Sequence, residues 1–272
     1  MNMDMKHESE QFDQTADYYD LYRPSYPKQV IQQLVEGAHL DKQSKVLEIG
    51  AGSGKATELI KDYGFSIKCV EIGESLVQEG RKKFCKDKNI TFECTRFEEM
   101  QDTGERYDAI MAAQSFHWIP QPVGFEKCAL FLKKGGYLAL MWNMYLYDDR
   151  EEHQQLIQLS NKYGGFADFV TMDNAKDRIR TIVNNIEDSG LFFTPRVYQQ
   201  EWQMDYTAKQ YCGFLQTGNR FVQLEEDEKK QAYSDIIHLA NQFDGKIHRP
   251  YMTVLYMAQK KTEEDSSNLW AR

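Results

Sequence analysis

Apolar residues recur three and four positions apart over 27–40, where Val30, Ile31, Leu34, Val35 and Ala38 fall on one face, and this spacing predicts an amphipathic helix with Ser25 as its cap. The period then changes. Short apolar runs at 45–49, 66–72, 90–94, 107–113 and 137–143 alternate with longer amphipathic stretches, the rhythm of strand, crossover helix, strand. Runs that are apolar on both faces and separated by helices predict an α/β fold with a parallel sheet covered on either side. Beyond Tyr147 the pattern turns helical near 151–162 and 176–188, then returns to strand-like runs at 196–206 and 251–259 with helical stretches between them. These late runs are expected to complete the same sheet.

The chain has 272 residues, 41% of them hydrophobic, enough for one large core. Lys and Arg number 33 against 42 Asp and Glu, and the net charge of -9 opposes broad attraction to phosphate backbones or anionic lipids. Neither nucleic acid nor a membrane is therefore an expected partner. The most apolar stretch, 135–147, is too short to span a bilayer, and residues 1–10 are polar and acidic where a secretory leader would be basic and then apolar. The expected location is cytoplasmic. Five cysteines (Cys69, Cys85, Cys94, Cys128, Cys212) form no Cys-x-x-Cys pair, so neither a disulfide framework nor a zinc cluster has its spacing. Cys69 and Cys94 sit in apolar, β-branched runs and read as small buried hydrophobes.

Chemistry concentrates at Val46-Leu47-Glu48-Ile49-Gly50-Ala51-Gly52-Ser53-Gly54-Lys55-Ala56-Thr57, an apolar strand running into a glycine cluster and then a helix. Glycines at such a junction bring backbone close to a ligand and expose amide donors at the helix start. A dinucleotide fingerprint fails because Lys55 stands where its third small residue belongs. A phosphate-cradling loop fails because Ala56 follows Gly54-Lys55 and no glycine lies five residues before Gly54. Farther on, Glu71 closes the apolar run 67–70, and a carboxylate at the tip of a second strand can accept both hydroxyls of a ribose.

Glu-x-Gly-x-Gly-x-Gly at the end of a first strand resembles motif I of the class I S-adenosylmethionine-dependent methyltransferases. The resemblance implies a Rossmann-like, seven-stranded, mostly parallel sheet with helices on both faces, S-adenosyl-L-methionine as cofactor, S-adenosyl-L-homocysteine as product, and no metal. It further implies that Glu48 orients the loop or reaches the ligand's ammonium, that Gly50, Ala51, Gly52 and Gly54 line its methionine portion, that Glu71 accepts from its ribose hydroxyls, and that Ile72 belongs to the cofactor-binding residues. Thr95-Arg96-Phe97-Glu98-Glu99 follows the third run, where the family contacts adenine. Arg96 stands where many members have Asp, which leaves Glu98 as the substitute contact and Phe97 as an apolar wall. Ala112-Ala113-Gln114-Ser115-Phe116-His117-Trp118 and Leu132-Lys133-Lys134-Gly135-Gly136-Tyr137-Leu138 are similar to segments of the Methyltransf_11-like group, in particular members related to trans-aconitate methyltransferases. The opening Phe12-Asp13-Gln14-Thr15-Ala16-Asp17-Tyr18-Tyr19, with Tyr22-Arg23-Pro24, resembles that group's cap segment. The expected organisation is one domain over 1–260, with a cap at 12–26, a cofactor-binding core at 27–147, a helical insertion or lid at 148–195 and closing strands at 196–260, then a solvated tail at 261–272.

Methyl transfer from a sulfonium is an in-line displacement, so the protein must align an acceptor lone pair and exclude water. His117 is the candidate base for an acceptor that enters protonated. Trp118, Tyr18 and Tyr22 are candidates for the acceptor pocket, Arg23 for holding a carboxylate of cofactor or substrate, and Gln114 for lining the cofactor or hydrogen-bonding the acceptor. No Asn/Asp-Pro-Pro-Tyr/Phe stands after the fourth run and no cysteine follows a proline, which disfavours nucleobase and Gln side-chain acceptors. With the acidic balance, this points to a small molecule methylated on O or N. The aromatics Tyr163, Phe166, Phe169, Phe192, Phe193, Tyr211, Phe214 and Phe221 are expected either to line its pocket or to pack the core. Two other readings stay open: a cofactor-binding module without turnover and, less favoured by the glycine spacing, an NAD-dependent oxidoreductase. Monomer and homodimer stay open equally.

Overall fold

The early apolar runs pair side by side because a strand apolar on both faces can be buried only within a sheet that helices cover from either side. The computed structural model describes residues 21–166, 169–262 and 265; Tyr18 and the start of the expected cap segment lie outside the described residues. Strands β1 (Lys45–Ile49), β2 (Ser66–Glu71), β3 (Ile90–Cys94), β4 (Tyr107–Ala113), β5 (Leu132–Tyr145), β6 (Arg196–Thr207) and β7 (Lys246–Gln259) form one sheet in the order β3-β2-β1-β4-β5-β7-β6. All neighbouring pairs are parallel except those made by β7, which runs antiparallel to both β5 and β6. The late runs thus do complete the same sheet.

Helices α1 (Lys28–Gly37), α2 (Thr57–Ile60) and α3 (Glu74–Lys83) cover one face. There Val30, Ile31 and Leu34 of α1, Ile60 of α2 and Val77 of α3 share a core with Val46, Ile67, Cys69, Met111 and Met141. Helices α4 (Val123–Phe131) and α6 (Met172–Asp188) cover the other, where Phe125, Cys128, Ala175 and Ile186 meet Leu47, Ile110, Leu140 and Val254. Alternate residues of β1 therefore feed opposite cores, which is why the strand reads as a continuous apolar run. Beyond the sheet's end, α5 (Glu151–Lys162), α7 (Ala208–Leu215), α8 (Asn219–Val222) and α9 (Glu226–Gln242) gather a third core with the ends of β6 and β7.

Four local expectations are corrected. Ser25 is not the α1 cap: Pro27 holds that position without a side-chain bond, and the Ser25 carbonyl instead accepts from Asn143 Nδ2 at 3.0 Å. Helix α6 starts at Met172, four residues earlier than expected, because the Thr171 hydroxyl caps the Asn174 amide. Strand β7 starts at Lys246, since unbroken pairing with β6 from Arg196↔Met257 to Thr207↔Lys246 extends it through Lys246-Ile247-His248-Arg249-Pro250, where one buried isoleucine among polar residues and a proline makes no apolar run. Cys94 is exposed, not buried, because β3 is an edge strand whose residues alternate toward solvent; Cys69, on interior β2, is buried. Among the described residues no helix is long and apolar enough to cross a membrane.

Gly80 on α3 faces the ring of Phe92, and a Cβ there would lie 2.4 Å from Phe92 Cε1. Phe92 is itself stacked on Phe84 with ring centroids 5.7 Å apart. Replacing Gly80 by Ala raises helix propensity by about 1 kcal/mol, but overpacking of this kind costs roughly 1–3 kcal/mol. The expected net result is a loss of about 1 kcal/mol, read as a lower denaturant midpoint at unchanged slope.

Candidate functional site

Strand register creates the site. Ile49 of β1 pairs with Val70 of β2 and Ala112 of β4, so Gly50, Glu71 and Ala113 come level at the carboxyl edge of the sheet. Chain order reverses at β1, where ligands of open α/β sheets bind. A cavity of about 1010 Å³ opens there, at the upper end of the range usual for small-ligand sites.

The glycine loop forms one wall. Gly50 (φ 62°) and Gly52 (φ 59°) take left-handed backbone. A Cβ on Gly50 would lie 2.4 Å from Ser115 Cβ, while the Ser115 hydroxyl donates to the Ile49 carbonyl at 2.5 Å. Glu71 ties the loop to β2. One carboxylate oxygen accepts from the Gly52 amide at 2.9 Å, and the other accepts from the Ile72 and Gly73 amides at 2.8 and 3.0 Å. Gly54 and Ala51 are not brought to the large cavity. A Cβ on Gly54 would meet Phe84 at 2.4 Å, so its missing side chain makes room for core packing, and Ala51 borders only a small recess beside the cavity.

Glu48 also faces that recess, buried at 1% exposure, and accepts from the Thr57 hydroxyl at 2.6 Å. Burial is the main reason its pKa rises from 4.5 to about 7; the Thr57 bond opposes the rise and the charge of Glu71 adds to it. Arg23 lines both recess and cavity, donating to the Tyr145 hydroxyl at 3.1 Å and the Thr217 carbonyl at 2.7 Å.

Ile72, Thr95, Arg96, Phe97 and Glu98 line the opposite end. Arg96 and Glu98 form an ion pair at 3.5 Å, so the substitution at Arg96 and its candidate replacement are coupled. Lys127, which sequence reading missed, holds this turn from behind. Its ammonium donates to the carbonyls of Phe97, Glu98 and Met100 at 3.2, 2.7 and 2.6 Å. No local signal marks it, because the contact joins α4 to a turn nearly thirty residues earlier.

Gln114, His117 and Trp118 line the middle of the cavity. Gln114 sits at φ 59°, a conformation strained for a residue with a Cβ, and is held by its amide bond to the Met141 carbonyl and its side-chain bond to the Asn143 carbonyl. The His117 ring borders the cavity, and partial desolvation by the protein near it lowers its pKa to about 4 although the ring stays exposed. Its Nδ1 accepts from the indole N–H of Trp142, another residue the sequence did not single out.

None of the eight aromatics proposed as pocket or core borders the cavity; seven pack in the cores, and Phe193 does neither, lying exposed at the surface. Tyr163, Phe166, Tyr211 and Phe221 pack the third core and Phe192 the α4 side. Tyr22 is likewise away from it, lying where a Cβ on Gly213 would meet its ring at 2.5 Å. The insertion instead contributes one polar stripe of α6, Asp177, Arg178, Thr181 and Asn185, with Ile182.

Residues 46–136 match the model of a methyltransferase domain. An uncharacterized methyltransferase-like protein of Schizosaccharomyces pombe is 29% identical over 126 residues, covering 46% of this chain and 48% of that protein; the chain thus spans about half the length of the curated relatives it matches. A provisionally assigned type II methyltransferase of Anaeromyxobacter dehalogenans shares the fold at TM-score 0.61 with 17% identity, over 87% of this chain and 97% of that one. An S-adenosylmethionine-dependent methyltransferase of Thiobacillus denitrificans, solved with S-adenosyl-L-homocysteine, does so at TM-score 0.53 with 11% identity, over 92% and 98%. The chain thus shares the fold of these solved structures, and its similarity to a methyltransferase domain lies in the segment that holds the glycine loop and Glu71.

The raised pKa of Glu48 has a signed consequence for stability. The folded state holds its proton up to about pH 7 and the unfolded state only to about 4.5, so this group's contribution falls as pH rises through that window. Glu48→Gln keeps an acceptor for Thr57 and removes the slope. Urea unfolding is expected to show little difference from wild type at pH 4.5 and a gain of roughly 3 kcal/mol for the variant above pH 7.

Proposed function

We propose that the protein transfers a methyl group from S-adenosyl-L-methionine to an oxygen or nitrogen of a small-molecule acceptor. The observation that carries this reading is a single cavity whose wall runs from Glu71 and the glycine loop to His117, Trp118 and α6, large enough for a cofactor and a second small molecule together.

The residues fit the cofactor. Glu71, anchored by backbone amides, presents its carboxylate at the cavity wall, where it can accept from a ribose hydroxyl. Gly50 and Gly52 present bare backbone to the same space, and Phe97 and Ile72 offer apolar surface to a flat base with Glu98 at its edge. Arg23 and Gln114 stand at the recess end, where an amino-acid moiety has a cation for its carboxylate and Glu48 for its ammonium. The bound cofactor supplies a methyl carbon on a positively charged sulfur, which takes back the bonding pair as an acceptor lone pair attacks. Everything else falls to the chain: the Glu71-anchored loop fixes orientation, Trp118 and Phe116 exclude water from one side, and the polar stripe of α6 faces the remaining space for the acceptor.

Calorimetry with S-adenosyl-L-methionine, S-adenosyl-L-homocysteine and NAD tests the ligand. Binding of both sulfur ligands is expected, weakened at least tenfold in Glu71→Ala, whose melting profile serves as the folding control. Tight NAD binding without response to the sulfur ligands would overturn the proposal. A radiolabelled methyl screen over small acids, phenols and amines then tests transfer, and cofactor binding without transfer to any of them would leave a binding module.

Lys127→Met removes the donor behind the adenine-side turn while keeping the stem of the side chain. It is expected to weaken S-adenosyl-L-homocysteine binding about tenfold through the turn alone, with NAD, if bound at all, serving as no substitute; an unchanged dissociation constant would remove Lys127 from the site.

A further inference from the structure

His117 follows β4 and Trp142 lies on β5, and the parallel pairing of those strands brings the two side chains together at the cavity. The indole Nε1–H donates to His117 Nδ1 at 3.3 Å. An indole nitrogen can only donate, so while this bond holds Nδ1 carries no proton, and a neutral imidazole must carry its proton on Nε2. Among the described residues no protein group pairs with Nε2, and the exposed ring borders the cavity. Trp142 is itself braced: its ring meets the buried Tyr256 of β7 edge-on, with centroids 5.8 Å apart and planes at 76°. On its other side His117 lies against Trp118, with centroids 4.8 Å apart. The ring is therefore held in place by two tryptophans, one of which also selects its tautomer.

We propose that Trp142 is a positioning residue that fixes His117 in its Nε2–H form, so that His117 gives the acceptor a hydrogen bond instead of taking its proton, and that the site accordingly takes acceptors whose reacting oxygen is already anionic. This replaces the base role suggested for His117 by its place in the sequence. The chemistry balances without a base: a lone pair of the anionic oxygen forms the new oxygen–carbon bond, the carbon–sulfur pair returns to sulfur, and no proton has to leave. An Nε2–H directed at the acceptor favours an anion and selects against an ammonium, which brings N–H groups of its own to a donor. The acceptor half of the proposal rests on the methyl-transfer reading; the tautomer half does not.

Long-range proton–nitrogen correlation spectra of the full, uniformly labelled chain without ligand, at pH 7.5, test the tautomer directly. The His117→Asn variant identifies the signals among the six histidines. The expected wild-type spectrum shows Nδ1 unprotonated and Nε2 protonated, and Trp142→Phe, which keeps the ring against Tyr256 but loses the N–H, is expected to move both signals toward a mixture of tautomers. A protonated Nδ1 or a charged ring in the wild type overturns the proposal, as does an unchanged tautomer in a Trp142→Phe protein that melts like wild type; should that variant fail to fold, the wild-type spectrum alone decides. For the acceptor, matched pairs of small acids and amines are offered in the radiolabel assay. At least tenfold faster labelling of the acids is expected. Faster labelling of amines overturns the acceptor half even if the tautomer stands, whereas the absence of any transfer overturns the methyl-transfer reading and leaves the tautomer result untouched.

Discussion

Three backbone N–H groups from two separate turns converge on the carboxylate of Glu71, and the site depends on that convergence. The Gly52 amide belongs to the loop after β1, while the Ile72 and Gly73 amides belong to the turn after β2, so one side chain holds two chain reversals at a fixed spacing. Charge-assisted bonds of this kind are shorter and stronger than neutral ones, and three on one carboxylate leave its position little freedom. The same negative charge is felt by Glu48 across the loop and helps keep that buried carboxyl protonated near neutrality. Anchoring the loop and raising a neighbour's pKa are thus two effects of one anion placed by the register of β1 against β2.

Around that anchor the cavity is assembled from distant parts of the chain. Arg23 reaches Tyr145 on β5 and the Thr217 carbonyl beyond α7, which binds the segment before α1 to the helical additions. Those additions pack around tyrosines and one interior cation. Arg249, at 1% exposure, donates to the Tyr211 hydroxyl at 3.0 Å and lies 4.5 Å from the ring centre of Phe169, so aromatic faces and a phenol surround its charge. From the third core to the cavity wall, Tyr251 packs against Tyr145 edge-on, and Trp202 donates to Thr253, which donates to Asn143, whose carbonyl holds the side chain of Gln114. The strained backbone of Gln114 is supported by this continuous path from the outer strands.

Much of the central sheet was legible because its signals are local. Three of the first five strands, β1, β3 and β4, have the limits that their apolar runs predict: β1 and β4 because burial on both faces demands apolar residues at nearly every position, and the edge strand β3 because Ile90 and Phe92 alternate with exposed neighbours. The glycine loop and Glu71 were legible for a similar reason: tight reversal and a terminal carboxylate leave marks at fixed spacing. Cys94, Ser25 and the starts of α6 and β7 were misread where an edge, a neighbouring carbonyl, a cap or a long pairing partner decided the outcome. The aromatic positions of the insertion were equally consistent with pocket and core, because a large apolar side chain looks the same in sequence whether it faces a ligand or another ring.

The sequence by itself determined the alternation of strands and helices, the glycine reversal and the acid that faces it, all of which follow from requirements acting within a few residues of one another. Only the tertiary structure decided which side chains meet at the cavity. Lys127 behind the turn at Phe97–Met100, Trp142 against His117, and the polar stripe of α6 in place of Tyr22 and the insertion's aromatics are consequences of register and packing between segments far apart in the chain. The tautomer of His117 belongs with them: it depends on a single N–H from the next strand, and no property of residues 114–118 alone could set it.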